Sequence, residues 1–237
     1  MQKYLNNNQI SAFYHDKFVT QQLDHFKRLA YLKLPDGSTV VDVGGGCGHF
    51  AIAIAKCLKV PVRLIDMDPE SVKFAKTFGI NAIEGDALCP EKNDTDGIIC
   101  FNLILHHLVG DTEKKTRSLQ SKALLSWKNT RAKLFINEYI YESWFNDISG
   151  KLIYQITKNK LVSNICKLIS KIAPSLRANT FGVGVRFRSS DEWCQIFNEI
   201  GYNVVDRIRG NEEPISWPRR ILLIKEIRRD SFLLSES

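Results

Sequence analysis

Between Thr39 and Ile140 the chain repeats one alternation: a short run of β-branched and aliphatic residues, then a stretch whose apolar positions recur at helical spacing. The apolar runs are Thr39 to Val43, Val62 to Asp66, Ile80 to Ile83, Asp96 to Asn102 and Lys133 to Ile140. Because they are apolar almost throughout, rather than at every second position, they read as strands covered on both faces. Phe50 to Leu58, the segment opening at Pro69, and Lys114 to Trp127 read as the intervening helices, with Pro69 placed where a first helical turn tolerates proline. Strands alternating with helices predict an α/β fold on a largely parallel sheet.

Outside this block the pattern changes. From Asn8 to about Leu32, Phe13, Phe18, Leu23, Phe26 and Leu29 fall at helical spacing and predict N-terminal helices, and Pro35-Asp36-Gly37 turns the chain into the first strand. From Ile148 to Ile172, nine aliphatic residues recur at three- and four-residue steps with lysines between them, predicting a basic amphipathic helix pair. Ser190-Asp191-Glu192-Trp193 opens a further helix with a capping signal, ending near Gly201. Asn203 to Ile208 and Arg220 to Ile227 are two β-rich runs joined by a proline-containing loop, and the tail after Asp230 reads as frayed. Residues 1–237 are expected to form one domain, divided into a helical cover (1–34), a core (35–140), a helical lid insertion (141–188) and a C-terminal helix and hairpin (189–237).

The first strand breaks into glycines as Asp42-Val43-Gly44-Gly45-Gly46-Cys47-Gly48-His49. Without a Cβ, such a loop can take positive φ and bring its backbone against a ligand. A dinucleotide fingerprint needs a third glycine where His49 stands; here the glycines fall at Gly44, Gly46 and Gly48 after an acid. That spacing resembles motif I of the class I S-adenosylmethionine-dependent methyltransferases. Asp66, 18 residues past Gly48, stands where an acid at the tip of a second strand meets ribose hydroxyls. Gly85-Asp86-Ala87 is similar to the family segment lining the adenine, and Phe101-Asn102 followed by Leu105-His106-His107-Leu108 resembles the end of its fourth strand.

The resemblance implies a three-layer Rossmann-like fold with a seven-stranded, mostly parallel sheet and an antiparallel C-terminal strand. It also implies S-adenosyl-L-methionine as cofactor, held by Asp42, Gly44, Gly45, Gly46, Gly48, Asp66, Met67, Asp86, Ala87, Phe101 and Asn102. The activated methyl group needs an acceptor held in line and, when that acceptor is a hydroxyl, a base. His106 and Glu138 are the catalytic candidates, with His107, Tyr139 and Tyr141 as further bases; the alternative for the histidines is that one packs and one caps a helix. His49 is expected to cap the first core helix, and His15 and His25 to lie on the N-terminal helices.

Composition narrows the partners. The six cysteines form no C-x-x-C pair and sit mostly in apolar runs, which indicates buried thiols and neither a disulfide framework nor a metal site. No apolar run approaches a membrane span and the N-terminus lacks a signal-peptide core, so a cytoplasmic location is expected. The net charge is +7, and Tyr141 to Arg188 carries eight basic residues against two acids. The basic residues are interleaved with aliphatics and lack an aromatic platform, which argues against RNA, and DNA is not expected. Phe101-Asn102-Leu103-Ile104 occupies the place of the Asn-Pro-Pro-Tyr-like motif that holds a nucleobase amine, which leaves small-molecule oxygen, nitrogen or carbon acceptors, apolar or lipid-like ones among them. An RNA-directed enzyme and a non-catalytic cofactor-binding protein are the alternatives. The amphipathic segment 148–172 is either a lid packed on the domain or a contact with a membrane surface through lysines such as Lys158, Lys160 and Lys167.

Overall fold

A computed structural model describes residues 16–159 and 184–237. Phe13, His15, Lys160, Cys166, Lys167 and the second half of the amphipathic segment lie outside the described residues. The chain runs α1 (Asp16–Leu29), β1 (Thr39–Val43), α2 (His49–Leu58), β2 (Val62–Asp66), α3 (Pro69–Thr77), β3 (Asn81–Glu84) and β4 (Asp96–Asn102). It continues with α4 (Glu113–Leu125), β5 (Lys133–Ser143), α5 (Ile148–Lys158), α6 (Ser190–Glu199), β6 (Tyr202–Ile208), α7 (Trp217–Arg220) and β7 (Ile224–Glu236), with short 3-10 turns at Tyr31–Lys33 and Leu105–His107.

The seven strands form one sheet in the order β3-β2-β1-β4-β5-β7-β6. β1 through β5 pair in parallel, and β7 runs antiparallel to both β5 and β6. Neighbours along the central strands bury alternate residues on opposite faces. Val41, Ile99, Phe101, Leu134, Ile136, Phe232 and Leu234 meet α4 and α6 through Leu124, Trp127, Trp193 and Phe197. Val40, Ile98, Cys100, Phe135 and Leu233 meet α1 and α2, where Phe26 lies edge-on to Phe50 and Phe135. Both faces being apolar explains why these strands show no alternation in sequence. β1 sends the chain outward to β2 and β3, whereas β4 returns to its other side, so a topological switch point lies between β1 and β4 at the carboxyl edge of the sheet.

Several expectations are corrected. The tail after Asp230 is not frayed: β7 continues to Glu236 between β5 and β6, and Phe232, Leu233 and Leu234 are fully buried. Arg220 closes the short helix α7 and is not part of the final strand. The charged run Arg228-Arg229-Asp230 is buried and neutralised internally: Arg228 pairs with Asp230 at 2.9 Å and with Glu142 and Glu226 at 2.8 Å, and Arg229 pairs with Glu213 at 3.0 Å. Ser189, one residue before the expected position, caps α6 in a reciprocal capping box with Glu192. Cys57 and Cys89 are exposed, whereas Cys47 and Cys100 are buried as expected.

The basic excess of the insertion is also less solvated than its composition suggests. Arg186 and Arg188 are buried and share the carboxylates of Glu113 and Glu192, at 2.6 to 3.0 Å, with Gln120 accepting from Arg188 at 2.8 Å. In α5, the deeply buried positions are Ser149, Gly150, Tyr154 and Thr157, and the aliphatic residues Ile148, Leu152, Ile153 and Ile156 are only half-buried. Lys158 lies over the Tyr154 ring at 5.3 Å and donates to the Asp111 carbonyl.

Candidate functional site

Every acid and amide nominated for the cofactor falls at the carboxyl edge of the sheet, because β1, β2, β3 and β4 run in parallel and end there together. The glycine loop leaves β1 through Gly44, whose N–H donates to the Ile65 carbonyl at 2.7 Å. Gly44 has φ +68°, and a Cβ there would overlap the Ile104 side chain, so both conformation and space demand glycine. Gly46, at φ +53°, faces open space and donates its N–H to Asp66 at 2.8 Å. Asp66 takes a second backbone N–H, from Asp68, at 2.9 Å; each oxygen thus keeps a lone pair for a sugar hydroxyl. Burial raises its pKa. Asp86 is exposed just beyond β3, its carboxylate held by the Leu88 N–H at 2.8 Å.

Asp42 behaves differently from the expectation of a carboxylate beside the loop. It is fully buried beneath Gly45, accepts from the Asn102 amide at 3.2 Å, and burial pushes its pKa up to about 7. It supports the loop from below. Phe101 and Ala87 likewise sit in the core beneath the edge, against Val43, Ile65 and Leu105. Met67 is half-buried between Asp66 and the Asp68 cap of α3. His49 does not cap α2: Gly48 is the capping residue, in a left-handed conformation, and the His49 ring lies against Phe74. His25 is on α1 as expected, buried, with Nδ1 at 2.9 Å from the Ser231 hydroxyl and its pKa lowered by burial.

The cofactor groups fit what this edge offers. Gly46 opens on free space beside Asp66, and the buried Asn102 Oδ1 has no hydrogen-bond partner among the described residues, leaving an acceptor that a ligand N–H could satisfy.

The Leu105–His107 turn packs on the loop through Ile104 and carries the second cluster. Glu138 lies mid-strand in β5 and is fully buried. One of its oxygens accepts the Leu105 N–H at 2.7 Å and the other meets His106 Nδ1 at 2.7 Å. A buried carboxylate on Nδ1 fixes the ring so that Nε2 carries the free lone pair. His107 contacts the His106 ring at 4.1 Å and is held neutral by burial and by that neighbour, its pKa well below the usual value. Burial pushes the phenols of Tyr139 and Tyr141 above their ordinary values, which removes them as bases near neutrality.

Sequence reasoning missed the return of the insertion. Arg186 donates its N–H to the His106 carbonyl at 2.9 Å, Arg188 accepts from the Tyr141 N–H at 3.1 Å, and Phe187 between them stacks on His106 at 4.9 Å and on Tyr141 at 4.2 Å. Arg186-Phe187-Arg188 alternates like a strand and precedes the α6 cap, but charged residues on the buried side hid that signal.

This architecture was compared with solved structures. A methyltransferase from Geobacter sulfurreducens solved with S-adenosyl-L-homocysteine is similar over all of both chains, with TM-score 0.53 and 16% identity. A methyltransferase from Aquifex aeolicus aligns over 98% of this chain and 99% of its own, with TM-score 0.56 and 17% identity. The mitomycin 7-O-methyltransferase MmcR aligns over 93% of this chain, with TM-score 0.55 and 13% identity, and the chain spans 53% of its length. The chain has the class I S-adenosylmethionine-dependent methyltransferase fold. No family model and no curated protein matches the sequence.

Proposed function

We propose that this protein is a methyltransferase that uses S-adenosyl-L-methionine to methylate a hydroxyl group on a small-molecule acceptor. The observation that carries the reading is the His106–Glu138 pair, buried and 2.7 Å apart, with His106 on a turn packed against the glycine loop and Glu138 on β5. Asp66 and Asp86 would hold the ribose and the adenine amine, and the backbone of Gly44 to Gly46 would approach the methionine portion. When bound, the cofactor supplies a methyl group on sulfonium, activated for attack from behind.

The chain supplies position and proton removal. Glu138 takes the Nδ1 proton of His106 in a hydrogen bond, so Nε2 accepts the acceptor's hydroxyl proton while Glu138 offsets the charge that forms on the ring. Phe187, stacked on the His106 ring, and Tyr141, its ring plane 12° from that of Phe187, form an aromatic wall against the imidazole that limits water around it. The likeness in fold to a methyltransferase named for O-methylation of mitomycin supports the same assignment.

Calorimetry tests the cofactor, and a screen of hydroxylated metabolites with methyl-labelled cofactor tests the reaction. S-adenosyl-L-methionine and its demethylated product should bind, NAD should not, and His106→Ala should abolish label transfer with cofactor affinity unchanged. Absence of cofactor binding, or undiminished transfer in that variant, overturns the reading.

A further inference from the structure

β5 is parallel to β4 and β7 antiparallel, so the end of β5 and the start of β7 lie at the same sheet edge as the glycine loop. There the chain builds an apolar tip. Trp144 is 62% exposed, Phe145 67%, Trp217 76% and Ile221 69%; with Leu32, they are the large apolar side chains most open to water among the described residues. They belong to one locus: Trp144 donates its N–H to the Leu223 carbonyl at 3.1 Å, Ser143 pairs with Ile224, and Lys225 lies over the Trp144 ring at 5.9 Å.

The rim is basic. Residues 143–151 and 214–225 carry Lys151, Arg219, Arg220 and Lys225 against the single acid Asp147. The nearby Glu142, Glu213 and Glu226 are each engaged by arginines. β5 runs from Tyr139 and Tyr141 straight into Ser143 and Trp144, which makes the tip continuous along the strand with the aromatic wall beside His106.

Exposed tryptophans amid lysine and arginine match the headgroup region of a bilayer, where amphipathic rings settle and cations meet anionic lipid. A second copy of the chain, docked face to face, would set one basic rim against another and repel it. We propose that the tip formed by Trp144, Phe145, Trp217 and Ile221, rimmed by Arg220 and Lys225, docks the protein on an anionic membrane surface. Docked this way, the acceptor wall faces the lipid, and no helix need cross the bilayer; none among the described residues is long and apolar enough to do so.

Flotation of the full chain with vesicles of phosphatidylcholine, with and without phosphatidylglycerol, tests this independently of methyl transfer, so either reading can fail alone. The protein should float only with phosphatidylglycerol and be released by salt. Trp144→Ser with Phe145→Ser should weaken partitioning by about tenfold or more, and Arg220→Glu with Lys225→Glu should weaken it by at least about fivefold per charge. Melting temperature and cofactor affinity should match the parent in both variants. Failure of the parent protein to float, flotation unchanged in both variants, or a dimer in sedimentation analysis that the same variants dissolve would each overturn the proposal.

Discussion

Asp42→Asn isolates the cost of burying a carboxylate beneath the glycine loop. In the folded chain burial pushes the Asp42 pKa up to about 7 from an ordinary 3.8, and the Asn102 amide at 3.2 Å only partly offsets that. The unfolded chain ionises first, so it binds fewer protons between these values and stability falls as pH rises. Asp42 therefore favours the fold fully below about pH 4 and loses that contribution as pH passes through about 7. Three units at 1.36 kcal/mol each give a total of about 4 kcal/mol, of which about 3 kcal/mol falls between about pH 5 and pH 8. The introduced amide is nearly isosteric, does not ionise, and keeps an oxygen for Asn102. Urea unfolding of the cofactor-free protein, parent and variant, over that range measures the difference directly, because groups common to both cancel. The variant should gain on the parent by about 3 kcal/mol as pH rises. A difference that stays flat, or that shrinks with rising pH, refutes the account of Asp42 as a buried, proton-holding support.

Glu138→Gln should lower turnover about a hundredfold with cofactor affinity preserved, since it leaves one acceptor oxygen where the Leu105 N–H and His106 Nδ1 use two, and no charge to offset a protonated ring; equal turnover would place the base elsewhere. Gly44→Leu should both destabilise the chain, by about 2 kcal/mol or more, and abolish cofactor binding, because its side chain would collide with Ile104 at a φ of +68°. Asp66→Ala should reduce S-adenosyl-L-methionine affinity in calorimetry by about tenfold or more, through loss of the ribose acceptor and of the anchor for the Gly46 N–H. Ending the chain at Asp230 should yield protein without a cooperative thermal transition, since Phe232 to Leu234 fill both faces of the sheet; a normal melt would restore the view of that tail as dispensable.

The parallel half of the fold was legible because β1, β2 and β4 are mostly apolar on both sides and carry a residue with chemistry at or next to the carboxyl end: Asp42, Asp66, Asn102. The C-terminal half was not, because β7 buries charge. Arg228, Arg229 and Asp230 look like solvated surface until their partners are known: Glu226 on the same strand, Glu213 in the preceding loop, and Glu142, which is distant in sequence. The site divides the same way. Glycine spacing pointed to the loop and Leu105-His106-His107 to the turn, whereas the depth of Asp42 and the pairing of Glu138 with His106 depend on packing across strands. Phe187 was invisible because its neighbours Arg186 and Arg188 are buried through Glu113 and Glu192 on two other helices.

The place of β7 bears on how the protein is made. Translation delivers β5 and β6 before the strand that must lie between them, so the nascent chain emerges with an open slot in its sheet. At about 5–20 residues per second, β7 is synthesised a second or more after β6. Leu134, Phe135 and Ile136 border the slot along β5 throughout that interval. A ribosome that stalls past Ile208 would release a chain with exposed strand edges and half a core, a natural client for holding chaperones and a ready target for proteases.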